Sequence, residues 1–122
     1  MNDAEIKEIW RACNTIGWPF GHLVQILLIT GARRNEAASM RWDQIDGSKW
    51  TIPSEITKSG RLHEVPLSRL GLHVLSTCQK TDDLLFSTTG ITPFSGFTKA
   101  KSRLDDMSGT SEWRIHDCPA PL

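Results

Sequence analysis

Apolar residues recur at helical spacing from the start of the chain. Ile6, Ile9, Trp10, Cys13 and Ile16 predict an amphipathic helix over residues 2–16 with that stripe buried. Asn2 can cap it, with Glu5 three residues later as in a capping box, and Gly17 can end it. Pro19 can start a second helix running to about residue 30. Leu23, Ile26, Leu27 and Thr30 form one face, and Val24, Leu28 and Ile29 widen it until the helix is apolar nearly all round, the mark of a buried helix. Gly31 ends it. A third, short helix is expected over residues 33–40, where Arg34, Glu36, Ala37 and Ala38 are good helix formers. Residues 42–47 read as a turn-rich exit.

The period then changes. Residues 50–53, 55–58 and 62–67 read as three short strands, with Ser59–Gly60 as a two-residue turn and Pro66 at a strand end or an edge. Ser68 can cap a helix through residue 77 with Leu70, Leu72, Val74 and Leu75 as its apolar set. Residues 84–86 are a short extended run. Ser95 can cap a last helix through about residue 106, and residues 108–111 read as a loop. The expected fold class is α+β, mainly α-helical with a small three-stranded antiparallel sheet. At 122 residues it fits one domain.

Composition narrows the possibilities. With 39% apolar and 23% charged residues, the chain is neither disorder-like nor membrane-like. Its longest apolar run, residues 23–29, is broken by Gln25 and falls far short of the ~20 residues needed to span a bilayer. The first residues lack the layout of a signal peptide. A cytoplasmic protein without membrane contact is expected. Cys13, Cys78 and Cys118 lie far apart with no CxxC pair, so they read as idle thiols and not as a metal site. His22, His63 and His73 carry no ligand spacing, and the five tryptophans read as packing. No metal or small-molecule cofactor is expected. Basic and acidic residues balance at 14 each, so the total charge does not favour nucleic acid. A local basic face remains open, built from Arg33, Arg41, Lys58, Arg61, Lys99, Lys101 and Arg103. The chain contains no tyrosine.

Five segments carry a resemblance. Thr30-Gly31-Ala32-Arg33-Arg34-Asn35-Glu36 is similar to the T-G-x-R-x-x-E motif of tyrosine recombinases, the phage integrase family. Met40-Arg41-Trp42-Asp43-Gln44-Ile45-Asp46 resembles the continuation of that motif. The segment from Thr57-Lys58 to Val65-Pro66-Leu67 resembles the family's lysine hairpin, and residues 94–101 resemble one of its later helices. Trp113-Arg114-Ile115-His116-Asp117 looks like the start of the H-x-x-R box. The segments occur in the family's order and cover nearly the whole chain.

The resemblance implies DNA strand breakage and rejoining through a 3′-phosphotyrosyl intermediate, with double-stranded DNA and other recombinase protomers as partners. It implies Arg33 as the first arginine clamping the phosphorane oxygens, at a helix start where backbone N–H groups also face the phosphate. Lys58 would be the general acid on the leaving 5′ oxygen, and His116 would assist proton transfer or bind the phosphate. Glu36 would be structural, helping to hold the arginine. An ordinary hairpin-tip lysine is the competing reading of Lys58, and Arg34 reads as surface. The pattern stops after Asp117: where the box requires its arginine stands Pro119, and the nucleophilic tyrosine is missing. The expectation is therefore an incomplete recombinase core over residues 1–117 with an aberrant tail over 118–122, inactive in cleavage by itself. A non-catalytic DNA-binding module and an inert oligomerising remnant are the alternatives.

Overall fold

In the computed structural model, the described residues are 3–57, 59–89, 91–92, 94 and 96–109. The Asn2 and Ser95 caps, Lys58, His116 and the 118–122 tail lie outside them.

The first helix, α1, runs Asp3–Ile16 and buries Ile9, Ala12 and Cys13, with Ile6, Trp10 and Ile16 half-buried beside them. Gly17, at φ 74°, ends it and donates its amide to the Cys13 carbonyl at 2.8 Å. The second helix, α2, runs Phe20–Thr30 from Pro19 and buries every residue from Phe20 to Ile29 except His22. It is the central rod of the molecule, in contact with α1 on one side and with later helices on others. Gly21 lies against α1 so closely that a Cβ there would overlap the Cys13 backbone. Only a glycine permits that approach.

The helix α3 runs Arg34–Ala38, and a single 3-10 turn follows at Trp42–Gln44. The sheet is antiparallel with order β1-β2-β3: β1 is Ile45–Asp46, β2 is Lys49–Ile52 and β3 is His63–Pro66. Trp50 pairs with Ile45 on one side and Val65 on the other. Trp50, Ile52 and Val65 enter the same core as α2.

The strand count matches the expectation, but one strand was misplaced. Residues 55–58 were expected to be extended. Instead Ile56 and Thr57 donate their amides to the Pro53 carbonyl at 3.1 and 3.3 Å, and the Thr57 hydroxyl donates to the Arg61 carbonyl at 2.7 Å. These bonds make turns of the described residues on either side of position 58, in place of a strand. Pro53 has no amide to continue the ladder. The missing strand is β1, joined to β2 through Gly47–Ser48, with Gly47 at φ 60°. That pair is a hairpin signal in its own right.

The helix α4 runs Arg69–Ser76, and Ser68 caps it by accepting the Gly71 amide at 3.1 Å. Val74 and Leu75 are buried, while Leu70, expected in the apolar set, is 46% exposed. His22 joins α2 to the end of α4: its Nε2 lies 2.7 Å from Thr77 Oγ1. The Thr77 hydroxyl proton is committed to the Val74 carbonyl at 2.8 Å, so Nε2–H is the donor and Nδ1 is the bare nitrogen. Nδ1 is buried without a hydrogen-bond partner among the described residues. Burial holds the His22 pKa below its ordinary value, with the Gly17 backbone opposing part of the shift.

Of residues 84–86, expected to run extended, only Leu84 forms a bridge, and the chain bends at Leu85 and Phe86; all three are buried. Leu84 bridges Arg41, the Leu85 amide donates to the Met40 carbonyl at 3.1 Å, and Trp18 Nε1 donates to the Leu85 carbonyl at 2.6 Å. The last helix, α5, runs Phe97–Ser108 from Gly96 and packs on α1 through a face that buries Leu104 and Ser108. Among the described residues no helix is long and apolar enough to cross a membrane.

Candidate functional site: the turn that presents Arg33

Four residues build the turn between α2 and α3. Gly31 takes φ 70° and donates its amide to the Leu27 carbonyl at 2.9 Å, closing α2. The Thr30 hydroxyl donates back to the Ile26 carbonyl at 2.7 Å and accepts the Ala32 amide at 3.2 Å, so one side chain ties the helix end to the turn. Glu36, 9% exposed, reaches back and accepts the Arg33 amide at 2.9 Å on Oε1. The Ala37 amide donates to the Arg33 carbonyl at 3.0 Å. Both backbone groups of Arg33 are thereby engaged, and only its side chain is left to work.

That side chain is exposed and makes no ion pair with another described residue. Glu36 therefore holds the arginine by its backbone and not by its guanidinium. No carboxylate of the described residues neutralises its charge, which is what an oxyanion requires of a clamp. The expectation that N–H groups at this helix start also face an anion is corrected on one point: the Arg33 amide is taken by Glu36.

The other cations of the expected basic face divide into two groups. Arg41 is bound to acids, its Nε 3.3 Å from Asp43 Oδ1 and its Nη2 3.4 Å from Asp83 Oδ2. The hydrogen bond and charge of Asp43, then the charges of Asp83 and Asp82, raise its pKa above the ordinary value. Lys101 sits 2.8 Å from Asp105 Oδ2 with both side chains 17% exposed. Arg61, Lys99 and Arg103 are exposed and make no ion pair with another described residue. Lys99 and Arg103, four residues apart, share one exposed face of α5.

Two further features were not legible in the sequence. The Arg34 guanidinium carbon stands 4.8 Å from the centroid of the Phe97 ring. Phe97 itself packs edge-on against Phe94 at 5.1 Å and Phe20 at 6.3 Å. Gln44 was read only as part of a turn, yet its Oε1 accepts both the Arg41 amide at 3.1 Å and Trp50 Nε1 at 3.3 Å.

The chain is similar to known proteins in sequence pattern and in fold. The model of the phage integrase family matches residues 1–116. The prophage integrase IntA of Escherichia coli (strain K12) is 48% identical over 50 residues, which cover 39% of this chain and 12% of that protein. The site-specific recombinase XerH bound to its difH substrate before cleavage superposes with a TM-score of 0.69 at 19% identity, covering 97% of this chain and 40% of XerH. XerH on a palindromic difH substrate after cleavage gives 0.67 at 18% identity, covering 97% and 38%. At such identities the likeness is one of fold, and the chain spans well under half the length of these proteins. The family pattern nevertheless runs through nearly all of this chain, which belongs to the phage integrase family.

Proposed function

We propose that this chain forms part of the DNA-binding and strand-exchange core of a site-specific recombinase, with Arg33 as a clamp on the scissile phosphate. One observation carries the reading: Arg33 is pinned through its backbone by Glu36 while its guanidinium stays exposed and unpaired among the described residues. In strand cleavage the phosphorane gains negative charge, and a guanidinium fixed beforehand stabilises it through charge-assisted bonds without reorganising. Lys58 as general acid on the leaving 5′ oxygen, and His116 beside the phosphate, complete the set that the family motifs imply. Arg61, Lys99 and Arg103 are the remaining exposed cations of the expected basic face for backbone phosphates. Arg41 and Lys101 contribute less, because carboxylates already occupy them.

The 122 residues contain no tyrosine to serve as nucleophile, and Pro119 stands where the second clamping arginine belongs. The polypeptide of this sequence is therefore proposed to bind DNA without cleaving it. Fluorescence anisotropy on labelled duplex DNA, read across a salt series, tests the binding. Affinity should fall steeply with salt, and Arg33→Ala should weaken it and flatten the slope by about one phosphate contact. An unchanged affinity and slope in that variant would remove Arg33 from the site. Incubation with a nicked suicide substrate should leave no covalent adduct; an adduct would overturn the non-cleaving reading.

A further inference from the structure

We propose that Arg34 is a positioning residue for Arg33, acting through its stack on Phe97. The inference rests on the reading of Arg33 as a phosphate clamp. It begins with the size of α3. Five residues make little more than one helical turn, too short to hold itself, so tertiary ties decide where it begins. On its inner side those ties are Ala37 and Ala38, both buried. At its first turn they are the Glu36 carboxylate on the Arg33 amide and the Arg34 guanidinium on Phe97.

The Phe97 side of this contact is packed into an aromatic cluster. Phe97 opens α5, and its ring is wedged between Phe94 and Phe20, which themselves meet at 5.5 Å. Phe20 is 3% exposed and opens α2. The aromatic cluster thus fixes the start of α5 to the start of α2, and Arg34 fastens the first turn of α3 to that cluster.

The use of a ring in place of a carboxylate has a second effect. An acid partner would hold Arg34 equally well but would place a negative charge beside Arg33. A ring face holds the cation and adds no charge. It also directs Arg34 onto α5, so the adjacent like charge is tethered while Arg33 stays available. Phe97 therefore orders the turn without competing with an incoming phosphate.

The test is a mutant cycle of Arg34→Ala, Phe97→Leu and the pair, each with and without Arg33→Ala, with Phe97→Trp as the conservative variant. Two readouts are taken on the full chain. Amide hydrogen exchange at Arg33 and Ala37 reports the turn without DNA. Anisotropy on labelled duplex DNA reports the clamp. Arg34→Ala and Phe97→Leu should each speed exchange at Arg33 and Ala37 about two- to fivefold, the range a partly exposed cation–π contact corresponds to, and the pair should do no more than either alone. Exchange at Leu27 inside α2 should not change, which shows the fold intact. Phe97→Trp should preserve the protection. DNA affinity should weaken by the same factor, and should weaken no further once Arg33 is Ala.

Unchanged exchange, or additive effects of the two substitutions, would overturn the proposal even if Arg33 binds DNA. A loss of affinity for Arg34→Ala that persists without Arg33 and flattens the salt slope would make Arg34 a phosphate contact of its own, which also overturns it. If the parent chain binds no DNA at low salt, the clamp reading falls, while the exchange data still decide whether Arg34 holds the turn.

Discussion

Arg33 and Arg41 enter their helical turns by the same backbone device. Each donates its amide to a side chain three residues on, Glu36 Oε1 at 2.9 Å and Gln44 Oε1 at 3.1 Å. In both turns the reciprocal half of a capping box is missing, because an arginine side chain has nothing to accept with. The guanidinium groups then differ. Arg41 lies between Asp43 and Asp83, while Arg33 meets no acid among the described residues. The backbone bond decides where an arginine stands, and the neighbouring carboxylates decide whether its charge is free for another molecule.

The largest effect is expected from a change that should not distinguish the two turns. Gly21→Ala forces a Cβ into the Cys13 carbonyl and drives α1 from α2, with a cost of about 3 kcal/mol. Urea unfolding should show it, with both arginine turns losing amide protection together. Protection lost in one turn alone would mean that the two do not share a scaffold.

Replacing the acceptors comes next. Glu36→Ala should cost about 1–2 kcal/mol, Gln44→Ala about 1 kcal/mol, and Glu36→Gln much less because an acceptor remains. Only the Glu36→Ala change should also weaken DNA binding. Equal effects of Glu36→Ala and Gln44→Ala on affinity would erase the distinction between the turns.

Asp43→Asn with Asp83→Asn should release Arg41. The expected outcome is a two- to threefold gain in DNA affinity, a steeper salt slope and no measurable shift in the urea midpoint, since exposed ion pairs contribute little to stability. A gain that survives Arg41→Ala would come from removing negative charge at large, and not from freeing Arg41.

The smallest effect concerns α2, the helix that carries the Arg33 turn. The unfolded chain protonates His22 near 6.5, whereas the folded chain, with Nδ1 buried and bare, does so only at lower pH. Stability from this group is therefore whole above 6.5 and is lost as the pH falls through the window below it. Urea midpoints measured from pH 7.5 to 5.5 should decline, and His22→Gln should remove part of the decline. A His22→Gln profile that superposes on the parent would show that another group is responsible.

Much of this could be read from the sequence, and the exceptions have physical reasons. The helices α1 and α2 were legible because burial at a 3.6-residue period leaves its mark on every turn. The turn at Arg33 stood out only through its resemblance to T-G-x-R-x-x-E, whose glycine proves to be the left-handed cap of α2 and whose carboxylate accepts the Arg33 amide. The strand β1 was missed because two residues are too few to show alternation, although Gly47–Ser48 marked the turn. Residues 55–57 were misread because β-branched residues suggested a strand where Pro53 diverts the chain into a loop. Arg41 and Lys101 looked alike as cations. Lys101 stands four residues before Asp105, so its pairing could have been inferred locally. The Asp83 partner of Arg41 could not, because it arrives only when residue 84 bridges residue 41.

That bridge has a meaning for the order in which the chain assembles. Leu85 accepts from Trp18, 67 residues earlier, and donates to Met40, while its own side chain is fully buried. The α1–α2 pair needs only neighbouring sequence and can form while the chain is still being made. Trp18 and Met40 must wait, their polar groups bonded to water, until the segment around Leu85 has left the ribosome. Contacts at such separation form late. A nascent chain stalled anywhere short of that point would hold a docked helical pair whose remaining core is still open to water.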